Sequence, residues 1–265
     1  NSFESAEEQA AFDVYDANNI NPLYGFFVAR AGLGASESMR SKLAEYNDPR
    51  LSRAFITKQG ASGKEQAPGT ADNAVYAPNG TPEQGTSKYG TSLFMYSISA
   101  PTLLLSYHEL KFLEAEALCR LERDAKSALK DAVVAGLLNA ENSFTISRKE
   151  LGKTLINAAS SITEAEAESY FDNTIEAKYT AEPLKTTMIQ KYFALWGASG
   201  EATESYNDVR RMKGLGENFI ELKNPNSFPL RCPYGNSDTT TNAEVKAAYG
   251  NGQYVYSENV WWAGG

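Results

Sequence analysis

Residues 101–138 constrain the fold more than any other stretch. From Pro101 to about Leu121, apolar side chains recur at helical spacing, at Leu103, Tyr107, Leu110, Leu113, Ala117 and Leu121. That pattern predicts one amphipathic helix. Asp124 is placed to cap a partner helix from Ala125 to about Leu138, with Leu129, Ala132, Val133 and Leu137 turned inward. A connector of a few residues forces such a pair to lie antiparallel and in contact. Phe112, Ala115, Cys119, Ala128, Ala132 and Ala135 fall near the spacings of a tetratricopeptide unit. One such unit cannot bury its own face, so neighbouring units are implied.

The rest of the chain is read from caps and breakers. Ser5-Ala6-Glu7-Glu8 has the form of a capping box opening a short helix to about Asp16, which Asn21-Pro22 ends. Ser36 can cap a second helix with Met39, Leu43 and Tyr46 on one face, and Asn47-Asp48-Pro49 stops it because the residue before proline avoids the helical region. Two further capping boxes are read at Ser147–Glu150 and Thr163–Glu166. Ala167, Tyr170, Phe171 and Ile175 follow the second as an inward row. Pro183 suits a first helical position, and Leu184, Met188, Ile189, Tyr192, Phe193 and Trp196 form a stripe that Gly197 ends. Trp196 is expected among the most buried large residues. A last helix runs from about Glu201 to Met212.

Two stretches break this regularity. Residues 57–99 are rich in Gly, Ser, Thr, Pro and Asn and read as a long excursion with one short strand near Leu93–Ile98. Residues 214–265 read as an irregular tail closing on Val260-Trp261-Trp262. The predicted fold class is all-α: about eight helices in tetratricopeptide-like pairs within a single helical domain carrying long irregular loops.

Bulk chemistry excludes several functions. The net charge is −8 over 265 residues, and the basic pair Arg210-Arg211 is preceded by Glu201, Glu204 and Asp208, so no concentrated basic face for nucleic-acid phosphates is expected. No apolar run approaches the roughly 20 residues that span a bilayer. With one histidine, His108, and two cysteines, Cys119 and Cys232, no transition-metal ligand set and no cofactor is expected. Cys119 sits among small and apolar helix neighbours, where a free thiol is the ordinary state. The chain opens on Asn1, which suggests a piece of a larger protein, with any export signal or lipid-attachment cysteine upstream.

Catalytic patterns are also missing. Glu109, Glu114 and Glu116 cluster on one predicted helix, but Glu114 and Glu116 point to different sides, whereas glycoside hydrolysis needs facing carboxylates roughly 5–10 Å apart. A solvated or paired role is expected of them, and a packed or surface role of His108. No Gly-x-Ser-x-Gly elbow or phosphate loop occurs, and Gly32-Leu33-Gly34 is too short and wrongly placed for a dinucleotide loop.

Aromatics give the one binding cue. Of 15 tyrosines, Tyr107, Tyr170 and Tyr192 lie in predicted helices, whereas Tyr76, Tyr89, Tyr254 and Tyr256 lie in loops with no periodic reason for burial. Tyrosine faces stack on the C–H faces of sugars, and amides satisfy hydroxyls. Tyr76 and Tyr89, with Asn73, Asn79 and Thr81 nearby, are therefore the expected ligand-binding residues, although such tyrosines can equally pin a loop to the body.

Several segments together resemble one family. Leu104–Ala117 looks like the Tyr-x-Glu-Leu-x-Phe-x-x-Ala-Glu-Ala helix of SusD/RagB-like proteins, and Ile189–Leu195 their Gln-Lys-Tyr helix. Tyr206–Arg211 is similar to their Trp/Tyr-x-Asp-x-Arg-Arg segment, and Phe228–Tyr234 with Asn242 to their Pro-x-Arg-x-Pro-Tyr…Asn stretch. Asn21–Tyr24, Asp48–Leu51 and Val260–Trp262 fit the second SusD-like subgroup, while Gly235 and Asp238 depart from its usual proline and glutamate. The resemblance implies that residues 1–265 are the C-terminal part of one SusD-like helical domain. It further implies a non-catalytic, lipid-anchored protein of the outer-membrane surface that captures glycans or other nutrients beside a TonB-dependent transporter. The family carries no catalytic residues, and its ligand contacts vary too much to transfer by motif. The alternative is a tetratricopeptide-type protein-interaction scaffold without sugar binding.

Overall fold

A computed structural model describes residues 3–30, 34–59, 64–66, 76–80, 89–151, 160–221, 223 and 227–263. The chain divides into two compact units, Asn1–Pro78 with Pro82–Glu221, and Asn79–Thr81 with Leu222–Gly265.

The first unit is built on helices α3 (Tyr107–Arg120), α4 (Lys126–Leu151) and α7 (Pro183–Leu195). The expected antiparallel pair is present, but α3 starts later than the pattern predicts. Ser106 Oγ accepts the Glu109 N–H at 3.0 Å and caps it. Residues Thr102–Leu105 form strand β5, paired antiparallel with β1 (Ala10–Phe12). The inward face also differs. His108, Glu109, Phe112, Ala115 and Glu116 are buried, whereas Leu113 and Leu121 are 41% and 63% exposed. Apolar spacing alone chose the wrong row because α3 buries polar side chains that find partners inside.

Helix α4 extends well past Leu138. Ser147 does not cap a new helix; it is buried within α4, donates to the Ser143 carbonyl and touches Ser97 Oγ at 2.7 Å. Gly136 permits close approach, since a Cβ there would lie 2.9 Å from Ala194 Cβ of α7. Leu129, Ala132, Val133 and Leu137 point inward as expected. Thr163 caps α5 (Glu164–Tyr170), accepting the Glu166 N–H at 3.2 Å. A π-helical turn, Phe171–Ile175, leads into α6 (Glu176–Ala181). Helix α7 is buried continuously from Thr186 to Lys191, so its environment is closer to an enclosed rod than to the one-sided stripe the sequence suggests. Trp196 packs against Phe55 and Phe94, with ring centroids 5.4 and 5.1 Å away, but stays partly exposed. It is therefore not among the most buried residues. Phe112, Phe144, Phe171 and Phe193 fill that role. Helix α8 (Ala202–Gly214) closes the series.

Around this body lie α1 (Pro22–Arg30), α2 (Glu37–Glu45) and a small sheet, β3 (Lys64–Gln66), β2 (Phe55–Gln59) and β4 (Thr91–Ser92), in the order β3-β2-β4. Ser36 caps α2 as expected. Asn21-Pro22 starts a helix rather than ending one. The Asn21 side chain accepts the Leu23 N–H at 2.8 Å and proline occupies the first turn. The expected helix after Ser5 is a single 3₁₀ turn, Ala6–Glu8, followed by β1. The expected strand at 93–98 is a 3₁₀ turn, Leu93–Tyr96, with Leu93 and Phe94 buried.

The second unit is more regular than the tail the sequence suggests. It holds α9 (Asn236–Thr241), α10 (Ala243–Tyr249) and α11 (Tyr254–Ser257). Asn242 caps α10, and Tyr234, Tyr249 and Tyr254 pack ring against ring with centroids 4.6–5.7 Å apart. Among the described residues, no helix is long and apolar enough to cross a membrane.

Candidate functional site

The excursion places its expected ligand residues unevenly. Tyr89 is buried. Tyr76 is half-buried, edge-on to Phe55 at 5.3 Å, with the Arg40 guanidinium 5.2 Å from its ring centroid. Burial raises its phenol pKa, against the opposing charge of Arg40. Asn79 is partly exposed and belongs to the second unit. Asn73 and Thr81 lie outside the described residues. Tyr254 and Tyr256, expected in a loop, lie in α11, the first buried and the second exposed.

The carboxylates singled out on α3 are structural. Glu116 is buried and accepts from Arg211 at 2.5 and 2.9 Å and from Arg120 at 2.7 Å. Burial opposes its charge, yet these cations hold its carboxyl below the ordinary range. Lys191, itself buried, pairs with Asp208 at 2.8 Å. Glu114 is exposed and bonded to Lys111. His108 is fully enclosed. Burial and then the Arg50 charge push its pKa down to about 3, so it is neutral. Its Nε2 lies 3.6 Å from Glu201 Oε2, and Glu201 Oε1 accepts the Ser106 N–H. Burial and the neighbouring Glu109 carboxyl push Glu201 up to about 8. This interior cluster ties the start of α3 to the start of α8 and presents no reacting geometry to solvent. Both cysteines are free thiols, Cys119 half-buried and Cys232 exposed. No three metal-ligating side chains converge among the described residues.

A cleft of about 500 Å³ lies where the 3₁₀ turn Ala6–Glu8, the start of α3, the middle of α4 and the start of α5 meet. Gln9 Oε1 accepts the Tyr107 N–H at 3.3 Å and joins the turn to α3. Tyr107 stands on one wall, and Asn139 and Asn142 of α4 on another. Val134 and Leu138 supply an apolar floor, and Asp131, Glu164 and Glu168 a polar rim. Lys130 is committed to Asp172 at 2.8 Å. The combination of one aromatic, three amides and an apolar floor suits a neutral, hydroxyl-rich ligand, whose C–H faces stack while its oxygens are bridged by amides. Apolar periodicity assigns Tyr107 to the inward row and says nothing of Asn139 and Asn142. Their spacing three apart, off the inward row of α4, was the available signal.

The family of this helical-hairpin scaffold comes from comparison with known proteins. The family described as starch-binding, associating with the outer membrane (the second SusD-like family), matches residues 1–234, and the chain belongs to it. A SusD/RagB family protein from Bacteroides thetaiotaomicron is 65% identical, with a TM-score of 0.87 over all of this chain and 57% of its own. A Bacteroidetes AC2a SusD-like protein (17% identity, TM-score 0.59, 98% of this chain and 62% of its own) shares the fold. So does a SusD homolog from Bacteroides uniformis (18%, TM-score 0.51, 98% and 56%). The chain thus spans less than two thirds of each of these relatives. No curated protein matches it.

Proposed function

We propose that this chain is part of a non-catalytic, lipid-anchored protein of the outer-membrane surface that captures glycans and passes them to a TonB-dependent transporter, for which it acts as a lid. The family match over residues 1–234 carries this reading. The cleft beside Tyr107 is the favoured ligand site, because an aromatic side chain and three amides line one cavity. The excursion bearing Asn73, Tyr76, Asn79 and Tyr89 is the second candidate, though Tyr89 must leave its buried position to stack on a sugar.

Calorimetry against starch-derived maltooligosaccharides and other plant and host glycans tests the reading. Tyr107→Ala with Asn139→Ala should weaken binding at least tenfold, since one lost stacked ring and one lost amide together cost about 1.4 kcal/mol or more. Tyr76→Ala with Asn79→Ala should leave it near wild type. The reverse pattern moves the site to the excursion. Tight binding of a protein with no affinity for any glycan points to an interaction scaffold. Glycan turnover by the purified protein defeats the non-catalytic reading. Purification from membranes without a large outer-membrane partner defeats the transporter partnership.

A further inference from the structure

The cleft beside Tyr107 carries an unbalanced charge. Glu4, Asp131, Glu164 and Glu168 line it, from the start of the chain, α4 and α5. All four are exposed and, among the described residues, none is in an ion pair. Glu164 and Glu168 stand four apart on α5, where like charges share one side of a helix and repel each other.

The lining supplies no cation to offset them. Lys130, the one ammonium among the lining residues, sits 2.8 Å from Asp172, which is outside the cleft, and meets Glu168 only at longer range. Lys111, whose Nζ is 5.7 Å from the Tyr107 ring centroid, is bonded to Glu114 at 3.1 Å, and Asp131 acts on it from farther away. His108 also lines the cleft, but it is enclosed and neutral. Both lysines thus answer to carboxylates outside the lining, and four lining carboxylates remain in excess. A cleft walled by charge of one sign gathers ligands of the opposite sign and opposes those of its own.

We propose that this cleft selects saccharides by charge: it admits neutral sugars, holds those bearing a protonated amine more tightly, and turns away uronates and sulfated sugars. The inference rests on the reading of the cleft as a glycan site and adds which glycans enter it. An amine on a ring carbon leaves the C–H face free to stack on Tyr107, while its N–H donors reach toward the rim carboxylates as charge-assisted hydrogen bonds. A uronate instead brings a further negative charge to a rim whose one lysine is already paired.

Saturation-transfer NMR on the full-length protein, titrated with glucose, glucosamine and glucuronate at about pH 6, where the amine is protonated, tests it. At low salt glucosamine should bind roughly threefold or more tightly than glucose, and glucuronate roughly threefold or more weakly, the scale of an exposed charge pair. Raising the salt to about 0.5 M should shrink both gaps, because exposed charges are screened. Glu164→Gln with Glu168→Gln should narrow them as well, and Tyr107→Ala should remove the response to all three sugars. Glucuronate binding as tightly as glucosamine overturns the proposal. So does a preference that survives the double substitution, ignores salt or persists without Tyr107, and so does silence from all three sugars. A protein that binds oligosaccharides in calorimetry without regard to their charge keeps the glycan reading and loses only this inference, whereas one that binds no glycan loses both.

Discussion

The α3–α4–α7 body and the elements α1, β1 and β5 use their side chains in opposite ways. The body buries polar groups: His108, Glu109, Glu116, Gln190 and Lys191 are all inside. Helix α1 and strand β5 expose apolar ones, among them Phe26, Val28 and Leu104. In the body, Glu116 has Arg120 and Arg211 and Asp48 has Arg50 at 2.7 Å, while Glu201 stands beside the Glu109 carboxyl and is held protonated. Among the described residues, none shields Phe26, Val28 or Leu104 from water. Local hydrophobicity is therefore a poor guide to burial here. The presence of a packing or pairing partner decides it.

The largest test of that contrast is a matched pair of truncations. Phe112→Ala, in the body, should cost about 3–5 kcal/mol, the range for a fully buried aromatic. Phe26→Ala on α1 should cost less than about 0.5 kcal/mol in this chain, as exposed substitutions do. Chemical denaturation of both variants is sufficient, and equal losses would erase the distinction between the two regions.

A second test removes a buried partner. Asp48 bonds Arg50 through Nε and Nη2 and accepts from the Tyr170 hydroxyl, while Arg50 also donates to the Phe193 carbonyl. Asp48→Ala strands an enclosed guanidinium and should cost about 3 kcal/mol or more. A loss under about 1 kcal/mol, the value of an exposed ion pair, would show that water reaches this site.

The third test uses pH. Glu201 is held protonated by burial and by the Glu109 carboxyl, with its folded pKa raised from 4.5 to about 8. The folded state therefore binds a proton that the unfolded state releases. The contribution is full below pH 4.5, declines as pH rises and is gone above about 8. Wild-type stability should fall by up to about 1 kcal/mol per pH unit through that window, and Glu201→Gln should flatten the slope. Glu109 and His108 stand beside it, and His108 stays neutral throughout. A wild-type profile that already runs flat from pH 5 to 8 would place a carboxylate, not an acid, at position 201.

The smallest effect is expected at a helix start. Ser106→Ala removes the cap of α3 and should cost about 1 kcal/mol. It also separates the present start of α3 from the earlier one the apolar pattern suggests, since a helix beginning at Pro101 would not respond.

Much of this architecture was legible in advance because its signals are local. Ser36 and Thr163 cap where their sequence says, Pro183 opens α7, and Gly197 ends it with a φ of +79° that admits no side chain beside Phe94. The inward row of α4 and the short turn before it needed only spacing. Caps, turns and periodicity depend on residues within a few positions of each other, so one sequence carries them.

Long-range partners decided the rest. Thr102–Leu105 looks helical but is a strand because Ala10–Phe12 lies alongside it. Helix α3 turns His108 and Glu116 inward, where Glu201 and Arg211 meet them, although the exposed Leu113 and Leu121 are more apolar. Tyr89 is inside although its surroundings read as loop, and the cleft joins Gln9 to Asn139 and Asn142 across more than a hundred residues. Periodicity shows that a face exists. The free energy of enclosing a side chain depends on what stands opposite, and that is set only when distant segments of the chain meet.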